Sequence, residues 1–288
     1  GTGGQGRVLL AIRKTNGEEV AFKQPLDDDD ARARVLREIE VQTLLAHPHV
    51  MPVLDAALDG SWYIMPKAAG NFVELIGSLG VPEIVKIVET VAEALEAAHA
   101  AGYLNRDVTP TNILALPDVR GVRWVIGDWG LVRRARGMTT VVRTAKGQFG
   151  TEGFSAPEMW EDAHVVDHRA DIYSLGRVLA WALTGRWPAP NRPLLPNDEY
   201  RAVVARATEL EPGDRFAAMS DFRAALRAAV SQPVQTVEAA ARVLFDAMRA
   251  EPRDPEKLLA FARYLRLHSD DSSIYFDLFG WLTREHVV

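Results

Sequence analysis

The chain has 288 residues, 48% of them hydrophobic and 25% charged, with 39 Asp plus Glu against 33 Lys plus Arg and a formal net charge of -6. This composition excludes disorder, collagen and a small peptide-like fold, and the absence of cysteine excludes a disulfide scaffold, a thiol nucleophile and a cysteine-based zinc site, while permitting a reducing compartment. The mild acidic excess supplies no global field for nucleic acid or an anionic membrane, so an anionic ligand must be held locally; no run approaches the roughly 18 apolar residues that span a bilayer as a helix, and a soluble protein, cytoplasmic in location, is the expectation.

Residues 1–6 carry no signal-peptide run and no initiator Met, so the chain is expected to begin inside a longer natural sequence. Residues 7–12 and 19–23 predict two strands joined through Thr15-Asn16-Gly17, since Asn-Gly is a strong hairpin signal. The acidic run 27–30 reads as a solvated linker whose last carboxylate, Asp30, caps the next helix. That helix is predicted over 31–46 from Val35, Ile39, Val41, Leu44 and Leu45, and ends at His47-Pro48. Strands are expected over 50–58 and 61–65. Beyond Gly70 long helices take over. One carries Pro82 in its first turn and closes at Gly102, with Ile84, Val88, Val91, Leu95 and His99 on one stripe; His99 reads as a core histidine. A strand is expected over 123–126, and a helix over 171–184 that is apolar almost all round and therefore buried. Helices over 202–210 and 219–230 follow, then a boundary at Gln232-Pro233. Three short helices are predicted over 237–248, 255–267 and 272–284.

Gly1-Thr2-Gly3-Gly4-Gln5-Gly6-Arg7-Val8 fits a glycine pattern that lets backbone N-H groups approach phosphates. Lys23 ends the strand Ala21-Phe22-Lys23, and Glu38 follows fifteen residues later on the helix, a pair suited to orienting an ammonium on nucleotide phosphates. In the loop Asn105-Arg106-Asp107-Val108-Thr109-Pro110-Thr111-Asn112, Asp107 and Asn112 lie five apart and can face one site. Asp128 adds a carboxylate between Gly127 and Trp129-Gly130. Two carboxylates and an amide oxygen form a hard oxygen set suited to Mg2+.

These motifs, together with Ala156-Pro157-Glu158 and Asp171-Ile172-Tyr173-Ser174-Leu175-Gly176, resemble in order and spacing the bacterial eukaryotic-type (Hanks-type) Ser/Thr protein kinases, over roughly residues 1–230. The resemblance implies an α+β, bilobal protein-kinase-like fold. Residues 1–68 would form a small antiparallel β-rich N-lobe, truncated at its start, with the hinge; 69–230 a larger helical C-lobe; and 231–288 a helical C-terminal extension. It implies transfer of the γ-phosphate of ATP to Ser/Thr hydroxyls of proteins. Asp107 would accept the hydroxyl proton, Asn112 and Asp128 would hold Mg2+, and Lys23 with Glu38 would position ATP. Gly1, Gly3, Gly6, Val8, Ala21, Met65 as gatekeeper, Pro66 and Ala68 in the hinge, and Leu114 would surround the nucleotide. Residues 128–158 would be the activation segment, with Thr139, Thr140 and Thr144 as autophosphorylation sites facing Arg106. Glu158 with Arg215 would be a structural ion pair, and Thr151 the substrate-adjacent threonine. Arg133, Arg134 and Arg136 read as a solvated patch.

Two positions depart from the family pattern. Asn105 stands where His is usual, removing a ring expected beside Trp129, and Thr109 stands where a Lys usually contacts the γ-phosphate. Two alternatives follow. One is a pseudokinase acting as a nucleotide-binding or scaffolding module. The other, a small-molecule kinase of aminoglycoside type, shares the Asp and Asn loop but lacks the Ala-Pro-Glu segment. The tail, rich in Leu258, Phe261, Tyr264, Tyr275, Phe276, Phe279 and Trp281, is expected to pack on the helical lobe, the alternative being to dock a partner protein.

Overall fold

The computed structural model describes residues 2–3, 6–26, 29–119, 121–130, 133–134, 153–161, 166–229 and 237–268. The chain divides into two compact units, Gly1–Pro196 with Tyr200–Ala228, and Asn197–Glu199 with Ala229–Val288.

The first unit opens with β1 (Thr2–Gly3), β2 (Gly6–Ile12) and β3 (Glu19–Pro25). β2 and β3 pair antiparallel from Gly6 opposite Pro25 to Ile12 opposite Glu19. The predicted hairpin is present, but its turn spans four residues: Gly17, at φ 72°, donates to Arg13 O at 2.8 Å, and Asn16 Oδ1 accepts from Glu18 N at 3.1 Å. The positive φ explains the glycine; the wider turn follows because Arg13 and Glu18 still pair.

α1 (Asp29–Leu45) begins earlier than expected, so Asp30 sits inside the first turn instead of capping it. There Asp29 and Asp30 still face the positive end of the helix dipole. The strand expected over 50–58 shrinks to β4 (Asp55–Ala56). Pro52 has no N-H to give a ladder, and Met51 N bonds Ile126 O at 2.9 Å, so the apolar run packs on the next sheet. β5 (Tyr63–Pro66) completes an antiparallel sheet of order β1-β2-β3-β5-β4.

β6 (Gly70–Asn71) and α2 (Phe72–Leu75) lead into α3 (Val81–Ala100), which buries Ile84, Val88, Val91 and Leu95 as the periodicity requires. After β7 (Tyr103–Leu104), β8 (Ile113–Asp118) and β9 (Gly121–Ile126) form a hairpin flanked by β6. β8 was not foreseen as a strand, and β9 starts two residues before its predicted position. β10 (Arg133–Arg134) pairs with β7. α4 (Glu158–Glu161) precedes α5 (Arg169–Thr184), whose residues Ala170 to Ala182 are all buried, as its all-round apolarity demands. α6 (Arg201–Ala207) ends before the expected position 210, and α7 (Met219–Ala229) closes the unit. The architecture is the expected one: an antiparallel β-rich lobe followed by a mostly helical lobe.

In the second unit, α8 (Val237–Ala250) and α9 (Pro255–Leu267) pair through Phe245 and Phe261, whose rings lie 5.6 Å apart. Asp254 caps α9 by accepting from Glu256 N at 2.9 Å. The helix predicted over 272–284 lies outside the described residues. Among the described residues no helix is long and apolar enough to cross a membrane.

Candidate active site

β3 turns Lys23 toward α1, where Glu38 is buried. The ammonium lies 2.7 Å from Glu38 Oε2 and 3.0 Å from Oε1, and 3.6 Å from Asp128 Oδ1. Burial works against the Lys23 charge, but the Glu38 and Asp128 carboxylates overturn it and hold the pKa above the ordinary lysine value. Burial pushes the Glu38 pKa up, and Lys23 pulls it the other way. The pair expected from the spacing is therefore made, and it extends to a third group.

In the glycine stretch, Thr2 pairs with Arg7 and Gly3 with Gly6. Gly6 takes φ 153°, and a Cβ there would lie 2.4 Å from Gln24 O. Close approach of β2 to β3 therefore requires this glycine, independently of any ligand. Gly1 lies outside the described residues. Val8 sits opposite Lys23, and Ala21 opposite Leu10 and Met65. Met65, Ala68 and Leu114 converge on one apolar cluster with Met51, Leu116 and Val125, while Pro66 ends β5 opposite Val20. Three of the expected residues, Met65, Ala68 and Leu114, thus pack on one apolar cluster.

The loop after β7 is held by buried polar groups. Asp171, fully buried on α5, accepts Asn105 N at 2.9 Å, Arg106 N at 2.8 Å and His99 Nε2 at 2.8 Å. His99 is thus a part-buried histidine with a specific carboxylate partner. Arg106 takes φ 70°, a strained value for a non-glycine residue. Asn112 Nδ2 donates to Asp107 O at 2.9 Å and Asp107 Oδ2 at 3.1 Å, and Asn105 Oδ1 accepts Asp107 N at 3.1 Å. Asn112 O accepts Gly127 N at 2.8 Å, which ties this loop to Asp128, itself at φ 51°. Trp129 is fully buried beside it. Thr109 is 2% exposed, and its hydroxyl lies 3.0 Å from that of Thr111.

The donor chemistry fits Mg2+. The carboxylates of Asp107 and Asp128 and the amide of Asn112 supply hard oxygen donors, with Lys23 3.6 Å from Asp128. Among the described residues no group of three or more His, Asp or Glu forms a metal cage. A cation bound through one or two carboxylates and phosphate oxygens needs none.

Glu158 and Arg215 form the expected pair, bidentate at 2.6 and 2.8 Å. Arg215 also donates to Glu209 O, Arg169 O and Leu210 O. Arg106 is buried, whereas Thr139, Thr140, Thr144, Thr151 and Arg136 lie outside the described residues. Sequence reasoning missed two functional contacts: the hydrogen bond of Asn105 to Asp107, and the anchoring of the loop on Asp171. The Asp171 position within its motif was the one available signal.

A lysine, a helix glutamate and two loop carboxylates gathered between an antiparallel sheet and a helical lobe define a bilobal phosphotransfer fold. The protein kinase domain model matches residues 1–232, and the chain belongs to that family, among the bacterial Hanks-type Ser/Thr kinases. It is 34% identical over 263 residues to the serine/threonine-protein kinase PknE of Mycobacterium bovis, covering 80% of this chain and 45% of that protein. It is 33% identical over 267 residues to PknH of Mycobacterium tuberculosis, covering 82% of this chain and 41% of that protein. The chain therefore spans less than half the length of both relatives. The crystal structure of the Mycobacterium tuberculosis PknI kinase domain matches with TM-score 0.60 at 28% identity, covering 80% of this chain and 93% of that one.

Proposed function

We propose that the chain is a protein Ser/Thr kinase that uses ATP and Mg2+. The observation that carries this reading is that Lys23 is bonded to Glu38 while also facing Asp128, with Asp107 held by Asn112. In this reading Lys23 and Glu38 orient the nucleotide phosphates, and Met65, Pro66, Ala68 and Leu114 receive the base beneath Gly3, Gly6, Val8 and Ala21. Asn112 and Asp128 hold Mg2+, which when bound neutralises phosphate charge. Asp107 accepts the proton of a substrate Ser or Thr hydroxyl as its oxygen attacks the γ-phosphorus and the bond to the β-phosphate oxygen breaks. Orientation and charge placement carry most of the acceleration. Residues 1–68 and 69–230 form the two lobes, and 231–288 a helical extension that packs on them or receives a partner. Autophosphorylation at Thr139, Thr140 or Thr144, read by Arg106, regulates activity, and the domain works in the cytoplasm, where ATP is supplied.

The pseudokinase reading draws on Thr109, which puts a buried hydroxyl where the family places a lysine. Incubation with Mg-ATP labelled at the γ-position separates the two. Labelling of protein substrate or of the chain itself is expected, and is abolished in Asp107→Asn. Equal signals from both proteins would remove the enzyme reading. Mass spectrometry that finds Thr139, Thr140 and Thr144 unmodified would remove autophosphorylation at these sites.

A further inference from the structure

We infer that Asn105 is the positioning residue of Asp107, fixing the backbone of the proton acceptor through its side-chain oxygen. The inference rests on the assignment of Asp107 above. Asp171 holds Asn105 N and Arg106 N, and these bonds end one residue before Asp107, at the strained Arg106. Asn105 Oδ1 closes that gap by accepting Asp107 N at 3.1 Å, a side chain to backbone bond two residues on. From the other side Asn112 Nδ2 holds Asp107 O and Oδ2. Asp107 is therefore gripped at its N-H by residue 105 and at its carbonyl and carboxylate by residue 112.

The cost of keeping an amide here points the same way. Asn105 is 0% exposed, and its Nδ2 has no hydrogen-bond partner among the described residues. Burying an unpaired donor is destabilising, a cost that a leucine of similar size would avoid. The orientation of the amide is set by chemistry, because only its oxygen can accept from the Asp107 N-H. An unsatisfied buried donor retained beside a strained turn marks a position held for the group it orients.

The test compares the full chain with Asn105→Leu, Asn105→Ser and Asp107→Asn. It reads the rate of γ-phosphate transfer from Mg-ATP at saturation, the Kd of a fluorescent ATP analogue, and the melting temperature. Asn105→Leu removes acceptor and orphan donor together. Its transfer rate is expected to fall about 10- to 100-fold with nucleotide Kd unchanged and melting temperature unchanged or raised. Asn105→Ser keeps a hydroxyl acceptor at the same two-residue spacing and is expected to hold the rate within about fivefold of the parent. Full activity in Asn105→Leu beside an inactive Asp107→Asn overturns the inference alone. A parent no faster than Asp107→Asn overturns the kinase reading and the inference with it. Parallel losses of melting temperature and rate would reduce Asn105 to a structural residue and also overturn it. If Asn105→Leu does not fold, a folded but inactive Asn105→Ser overturns the inference and an active one supports it.

Discussion

Replacing Glu38 by Gln tests how the charges around Lys23 divide stability from chemistry. Removing one partner of a buried pair ordinarily costs about 3–5 kcal/mol, because the other charge is left uncompensated. Here Asp128 stands by. At an effective dielectric of about 20, the attraction is about 6 kcal/mol for Glu38 at 2.7 Å and about 4.5 kcal/mol for Asp128 at 3.6 Å. The ammonium keeps its Asp128 share, about two fifths of the combined attraction, and closer approach to Asp128 recovers part of the rest, which limits the net loss to about 1–2 kcal/mol. For a unit of this size that lowers the melting temperature by about 3–6 °C. The chemistry suffers more, since Asp128 is then engaged by Lys23 and Lys23 is drawn from its phosphate position. The transfer rate is expected to fall about 100-fold or more. Melting followed by dye fluorescence and phosphate transfer from labelled Mg-ATP measure the two effects. A fall of 10 °C or more would show that Asp128 does not take over, and an unchanged rate would refute the positioning role of the pair.

Glu158→Gln leaves the fully buried Arg215 charge facing backbone carbonyls and the Tyr173 ring. The expected loss is about 3 kcal/mol, near the low end for a broken buried pair, and is read as a lower denaturant midpoint. Gly176→Ala places a Cβ 2.7 Å from Ala207 Cβ and 3.0 Å from Thr208 Cγ2 where α5 meets α6. Overpacking there costs about 1–3 kcal/mol, which urea unfolding should show as a shifted midpoint with unchanged slope. His47 has its pKa lowered from 6.5, first by burial and then by His49, with Glu93 opposing and Arg223 adding to the shift. The unfolded chain therefore binds the proton more readily, and His47 costs stability as pH falls from 6.5 through its depressed value. A melting series over that window should be flatter in His47→Gln; an identical slope would refute the assignment.

The groups legible in the sequence are those whose neighbours are set by local geometry or by strand register. Lys23 and Glu38 lie on adjacent elements whose order leaves few ways to pack, and Asp107 and Asn112 share one loop. The all-round apolarity of α5 announced a buried helix without ambiguity. What escaped was long-range and polar. His99 meets Asp171 72 residues away, and Asn105 N meets it 66 away, through contacts that no periodicity encodes. The segment after Val50 reads as a strand because apolar content signals burial without naming the partner, which in the structure is Ile126. In the sequence Asn105 reads as a lost ring, and no sequence pattern encodes the bond its Oδ1 accepts from Asp107 N.

Thr109 brings the remaining departure to a test. Its side chain is buried against Thr111, and Asn112 N donates to its carbonyl at 3.1 Å, so the position is part of the loop scaffold. Among the described residues Lys23 is paired with the carboxylates of Glu38 and Asp128, and Thr109 brings no charge of its own to a transferring phosphate. Thr109→Lys supplies one. Its long stem overpacks the loop at a cost of about 1–3 kcal/mol, and the lost hydroxyl contact adds about 1 kcal/mol. Charge placed where it develops in transfer should nevertheless raise the rate, by about 10-fold given the 100- to 1000-fold effect of a fully preorganised donor. Thr109→Met separates the two consequences, since it carries the bulk without the charge and should lose stability without gaining speed. A less stable but faster Thr109→Lys supports the electrostatic account, as stability and activity then move in opposite directions. A Thr109→Lys protein slower than the parent, with Thr109→Met unimpaired, would mean that the site already carries the charge its chemistry requires.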